Sequence, residues 1–316
     1  MESLQGIKRR IKGITNINQI TKAMELVAAT RMRRSQETAL ASRPYAFTAL
    51  DFLATLSRLE GVTLPPLLEK REVKHSLIVL VTSDKGLAGS FNANVIREFE
   101  KMTARENIDL RDPRYRFIAV GQKAAGYLER RTGSLLERYL RVGDYATVEQ
   151  IEPLAHTLIR GFLNKDWDEV RVFSTHFQSA LRQTVVERKI LPVEYENLRK
   201  TAKETVPEKG RFAELVREKA VPFFDGLKGN MPEYLIEPSP EVILGDLAAH
   251  LVVMQVYHLI LEANASEHAA RRMAMKSASD NAEELAHGLT LLYNKSRQAA
   301  ITKEIIEITA GAESLK

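Results

Sequence analysis

The chain has 316 residues, of which 44% are hydrophobic and 28% charged, enough apolar matter to bury a substantial core. It contains no cysteine, which excludes disulfides, thiolate metal sites, cysteine nucleophiles and thiol switches, and which suits a reducing compartment. The formal charge is +5, yet residues 1–43 alone carry nine basic and three acidic side chains, so the N-terminal segment holds more than the whole excess.

From Leu4 an apolar stripe runs through Ile7, Ile11, Ile14, Ile17, Ile20, Met24 and Val27 at steps of three and four, the spacing of a long amphipathic helix. No apolar signal core precedes it, so Met1 is expected to be the mature start. Pro44 interrupts the pattern, a second helical stretch is expected over Phe47 to Leu59, and Gly61 with Pro65-Pro66 ends it. This N-terminal helical segment spans residues 1–62.

Residues 73–195 read differently. Four runs have strand character: Ser76 to Thr82, Phe117 to Val120, Val170 to Ser174 and Thr184 to Leu191. Helical patterns separate most of them, at Val95 to Arg105, Lys123 to Arg131 and Val148 to Leu163. Alternation of strand and helix predicts an α/β domain around a small, largely parallel, Rossmann-like sheet. The segment Ser83 to Asn92 (SDKGLAGSFN) follows a strand and precedes a helix, where a phosphate could be cradled. It lacks the Gly-Lys-Ser/Thr ending and the three-glycine dinucleotide spacing, so a tight turn capped by Ser90 or Asn92 is the better reading. GQKAAG at Gly121 to Gly126 is no more specific.

Residues 196–238 form a charged stretch rich in proline and glycine, expected to be an insertion with short helices around Arg211 to Lys219. After Pro240 there is no further proline, and Gly245 and Gly288 are the glycines before Ala310. Roughly 70 residues of continuous helix at ~1.5 Å each would make a rod about 105 Å long. Its apolar segment from Leu247 to Leu261 contains His250, Gln255 and His258, short of the ~18 uninterrupted apolar residues of a membrane span. Within residues 240–312 the positions Ala278, Ala282, Leu285, Leu289, Leu292, Ser296, Ala299, Lys303 and Ile306 alternate steps of four and three, a heptad seam. Long helices at both ends predict an antiparallel coiled coil beside the α/β domain.

The chemistry of catalysis is harder to find. The seven histidines form no close ligand pair, and no acid–base pair stands out in the linear pattern. Lys22 to Arg34 (KAMELVAATRMRR) is cationic, but residues 1–44 carry no aromatic side chain for base stacking. A nucleotide-binding enzyme and a basic coiled-coil protein for nucleic acid or lipid are the competing readings.

Four segments resemble signatures of the gamma subunit of F-type ATP synthases. They are INQITKAMELVAATRMRRSQ (Ile17 to Gln36), TSDKGLAGSFNANV (Thr82 to Val95), SEHAARRMAMKSASDNAEEL (Ser266 to Leu285) and LLYNKSRQAAITKEIIEITAGA (Leu291 to Ala312). The resemblance implies a central-stalk rotor, present in one copy. It would carry the rotation of a proton- or sodium-driven c-ring into a ring of alpha and beta subunits, with catalysis left to beta. It implies no cofactor, no metal and no nucleic acid. Lys22, Met24 and Arg31 would face an acidic lever segment of beta, and Arg297, Gln298, Thr302 and Glu304 a beta catch loop. Arg271, Arg272 and Lys276 would add further rotor contacts. Tyr234, Leu235 and Glu237 would belong to a foot near the epsilon and c subunits. The implied location is peripheral, on the cytoplasmic face of a bacterial plasma membrane. The insertion before the foot is longer than a compact member needs, and without cysteine it cannot carry a thiol switch.

Overall fold

β1 (Ser76–Val81, SLIVLV) is buried at every position, and its alternation assigns the two cores of the domain. Leu77, Val79 and Val81 point to one face of the sheet, Ile78 and Leu80 to the other, as a period of two requires. The structure, a computed structural model, describes residues 3–41, 63–143, 146–194 and 237–314. The expected helix over Phe47 to Leu59 and most of the 196–238 segment, including Tyr234 and Leu235, lie outside the described residues. By its contacts the chain divides into two units, residues 30–270 and residues 1–29 with 271–316.

In the first unit β1, β2 (Tyr115–Val120), β3 (Leu135–Tyr139), β4 (Glu169–Phe177) and β5 (Gln183–Leu191) form one sheet in the order β3-β2-β1-β4-β5. β1 pairs in parallel with β2 and β4, and β2 with β3, while β5 returns antiparallel to β4. The expected α/β class and largely parallel sheet are present. β3 is an addition: LLERY is a short edge strand with three of its five residues exposed, so it lacks the apolar run that marks the others.

Helices α2 (Phe91–Arg105) and α3 (Gln122–Arg131) bury Val95, Phe99, Met102 and Leu128 against Ile78, Phe117 and Phe173. Phe99 is the centre of that face, edge-on to Phe117 at 6.1 Å and to Phe173 at 5.7 Å. On the other face lie α4 (Val148–Leu163) and residues 244–263 of α5 (Pro240–Ser314). Residues 251–263 of α5 are buried on all sides, as expected of a helix apolar all round. Its most apolar 18-residue stretch is long and apolar enough to cross a membrane by composition, but 67% of it is buried inside the protein. The strand of chain leading into β1 is pinned by Arg71, which donates to the carbonyls of Phe162 and Trp167 and pairs with Asp168 at 2.8 Å.

The second unit pairs the N-terminal part of α1 (Leu4–Ala41) with α5. The Ser279 hydroxyl donates to Asn18 Oδ1 at 2.5 Å, and Arg272 Nε lies 4.0 Å from Glu25 Oε1. Seven residues forward on α1 are seven residues back on α5, so the pair is antiparallel, as expected. The seam differs from the sequence-based one. On α1 the inward positions are Ile7, Ile11, Ile14, Asn18, Thr21, Glu25 and Ala28, alternating four and three. Ile17, Ile20 and Val27 are exposed. The steps of three from Ile14 to Ile20 outrun a 3.5-residue repeat and carry those side chains off the seam. On α5 the inward set is Met275, Ser279, Ala282, Ala286, Leu289, Tyr293 and Ser296. Ala282, Leu289 and Ser296 match the expectation, whereas Leu285 and Leu292 face outward one residue off it.

Candidate functional site

The same register explains where α5 stands alone. Continuing it fourteen residues from Asn18 and Ser279 brings Leu4, the first residue of α1, opposite Tyr293. From Arg297 to Ala310 every residue of α5 is exposed, including Ala299, Lys303 and Ile306 of the expected seam. Ile301, Ile305, Ile306 and Ile308 thus present apolar surface on a stretch of helix that α1 does not reach. Just before it, Asn281, Glu284, Leu285, His287, Gly288, Leu289 and Leu292 line an open groove of about 870 Å³.

The four residues expected to meet a catch loop all lie on this exposed stretch. Arg297 and Glu304 are seven residues apart and share a face; Gln298 and Thr302, four apart, share another. The Thr302 hydroxyl donates to the Gln298 backbone carbonyl at 3.0 Å, and the Gln298 side chain is exposed. Lys303 is tied to Glu307 at 3.5 Å on the same surface. On α1, Lys22 is exposed while Met24 and Arg31 are half-buried. Of the further candidates, Lys276 is exposed, Arg272 is half-buried with Glu25 beside it, and Arg271 is buried. Glu237 is exposed at the start of the last described segment. The exposed isoleucines and the outward leucines Leu285 and Leu292 were the surface that periodicity misplaced: both leucines fit a heptad count, and only the partner's register distinguishes them.

The SDKGLAGSFN loop is occupied with its own structure. The Thr82 hydroxyl accepts the N–H of Ala124 at 2.7 Å, Asp84 Oδ1 that of Gln122 at 3.0 Å, and the Ser83 carbonyl that of Lys123 at 3.2 Å. The first N–H groups of α3, the helix that opens after Gly121, are therefore satisfied, and a carboxylate sits where a phosphate at that helix would have to bind. Asp84 Oδ2 also accepts the N–H of Arg141 at 2.9 Å. Ser90 stands at the N-cap of α2 as expected, its carbonyl accepting the Asn94 N–H at 2.8 Å but without a side-chain cap bond, while Asn92 turns back to Ser83 through a 2.8 Å side-chain bond. Gly121 has φ +89°, and a Cβ there would lie 2.2 Å from the Thr82 carbonyl oxygen, so the crossing of β1 and α3 requires glycine. Among the described residues no group of acidic or histidine side chains is arranged to hold a metal ion.

A sequence profile for the family described as ATP synthase matches residues 3–315. The ATP synthase gamma chain of Desulforamulus reducens is 38% identical over 316 residues and covers 100% of both chains. The chain belongs to the ATP synthase gamma-chain family. The gamma chain of Roseiflexus castenholzii is likewise 38% identical, covering 100% of this chain and 99% of its own. Solved structures share the fold. One from the Euglena gracilis mitochondrial ATP synthase matches with a TM-score of 0.62 at 16% identity, covering 99% of this chain and 94% of its own. One from the central stalk and c-ring of the Tetrahymena thermophila enzyme matches with a TM-score of 0.57 at 23% identity, covering 82% and 99%. As a gamma chain the protein is the non-catalytic central-stalk rotor of a membrane-associated ATP synthase, and it couples rotation to nucleotide turnover at sites on other subunits.

Proposed function

We propose that a single copy of this chain stands in a ring of alternating alpha and beta subunits, with the exposed end of α5 as the part the ring encloses. The observation that carries this reading is the stretch from Arg297 to Ala310, exposed on every side yet bearing four large isoleucine-type surfaces among small and polar residues. Apolar surface of that kind calls for a covering partner. A sleeve that closes around it without a deep interlock lets the helix turn.

In this reading Arg297, Gln298, Thr302 and Glu304 hydrogen-bond a catch loop of beta. Lys22, Met24 and Arg31 meet an acidic lever segment of beta, where a cationic rotor face is electrostatically complementary. Arg272 and Lys276 add rotor contacts, and Arg271, being buried, acts through its neighbours. The α/β domain of residues 73–195 and the foot segment of residues 196–238, with Tyr234, Leu235 and Glu237, reach the epsilon and c subunits. The complex sits on the cytoplasmic face of a bacterial plasma membrane. The test is co-expression with the alpha and beta subunits, followed by gel filtration and Mg-ATPase assay. One copy in an active alpha–beta ring is expected; a folded chain that joins no such ring overturns the assignment.

A further inference from the structure

Inside the α/β unit, α5 carries a buried charged group on a helix whose buried stretch is mostly apolar. Glu262 is 4% exposed, near the end of the stretch of residues 251–263 that is buried on all sides. Its Oε2 is 3.0 Å from His176 Nδ1 on β4 and 3.2 Å from Arg188 Nη1 on β5. His176 and Arg188 are themselves buried. His258, one turn earlier on α5, is buried and adds its charge to the field at Glu262 when protonated. One turn later the Ser266 hydroxyl donates to the Thr175 carbonyl at 3.4 Å. A polar ladder thus ties one stripe of α5 to the β4–β5 hairpin.

Stability does not call for this arrangement. Replacing a buried ion cluster by apolar side chains of similar volume is often neutral or favourable, because desolvation offsets most of the attraction. What charged hydrogen bonds add is direction. The apolar contacts around residues 251–263 are non-directional, and a helix held by them alone can settle its ridges into neighbouring grooves. Turning α5 by one residue, about 100°, carries Glu262 away from both His176 and Arg188 and leaves its buried carboxylate without these two contacts.

We propose that Glu262, His176 and Arg188 form a rotational lock that holds α5 in one angular register against the sheet while torque passes between them. The proposal rests on the rotor role of the family. A lock of this kind is dispensable at rest and needed when the helix is twisted against resistance.

The test uses the whole ATP synthase in membrane vesicles, with steady membrane potential and ATP hydrolysis measured together. The variants are Glu262→Gln, the conservative Arg188→Lys, and the apolar combination His176→Leu, Arg188→Met, Glu262→Met. For Glu262→Gln and the apolar combination, subunit content and hydrolysis with uncoupler present are expected to match wild type. Both are expected to lose membrane potential per ATP hydrolysed, while Arg188→Lys keeps it. An unchanged ratio in both, or a loss that only follows reduced content of this chain, overturns the lock. Failure of both to assemble overturns it too, since a lock engaged only under torque is not required for assembly. A wild-type complex that hydrolyses ATP but builds no potential would count against the rotor role itself.

Discussion

Trp167 lies directly over Gly161, so closely that a Cβ on the glycine would sit 2.1 Å from the indole ring. The indole N–H donates to the Leu158 carbonyl at 3.1 Å, which fixes the ring against α4 just before β4 begins. Gly161→Ala is expected to force the ring or the helix to shift and to cost about 1–3 kcal/mol, the usual range for overpacking. Chemical unfolding of the full chain checks it; an unchanged midpoint would show that the ring relocates freely.

Thr82 offers a second test. Its hydroxyl is the acceptor for the buried N–H of Ala124. Thr82→Val keeps the shape and removes the acceptor, with an expected loss of about 1–3 kcal/mol for an unsatisfied donor, whereas Thr82→Ser retains most of the stability. Equal stability of the two variants would rule out the capping role.

The seam register separates two residues that the sequence places in one heptad. Ala282 is buried, Leu285 exposed. Ala282→Asp is expected to disrupt the helix pair and lower the melting temperature, while Leu285→Asp in the free chain stays within about 0.5 kcal/mol of wild type. Circular dichroism melts of both variants decide between this register and the one counted from sequence.

Acid should weaken the Arg71–Asp168 clasp. Burial alone would raise the Asp168 carboxyl, but the backbone N–H groups of His75 and Lys74 and the Arg71 charge outweigh it and hold the group below its ordinary range. A folded value below the unfolded one gives stability that is complete above the unfolded pKa of about 3.9 and is lost as pH falls through the folded value. Asp168→Asn is therefore expected to lower the melting temperature near neutral pH and to flatten its fall below about pH 4. Parallel melting curves for the two proteins across that range would contradict it.

For the proposed beta contacts, Arg297→Ala combined with Gln298→Ala is expected to weaken coupling or assembly and to leave the free chain as stable as wild type, since both side chains are exposed. Normal ATP synthesis by the double variant would remove these two residues from the site.

The sheet was legible where strands are buried on both faces. Ser76 to Val81 has no polar interruption, and Thr184 to Leu191 is β-branched enough to stand out. LLERY was not legible, because an edge strand needs apolar residues on little of its surface. The coiled-coil seam was half legible for a related reason. Asn18, Thr21, Glu25 and Ser279 occupy it, so hydrophobicity ranks Ile17 and Ile20 above the residues that face inward. The charged cluster at Glu262 had no linear signal at all: its partners are 74 and 86 residues away, and topology alone joins them. The partner-facing residues were reached through the resemblance of whole segments, not through any pattern of charge or spacing.

The unequal lengths of the paired helices have a thermodynamic consequence. Beyond Ser296 the described end of α5 is sustained by its own backbone bonds and by local side-chain contacts such as Lys303–Glu307, whereas most helical stability in proteins comes from packing a face against a neighbour. In the free subunit the last turns should fray, and amide exchange there should be fast. Once enclosed, the same turns should become protected, so part of the entropy of ordering the shaft falls due at assembly. The stiffness of the axle tip is then a property conferred by its housing, and the housing's grip sets how much twist the tip can deliver.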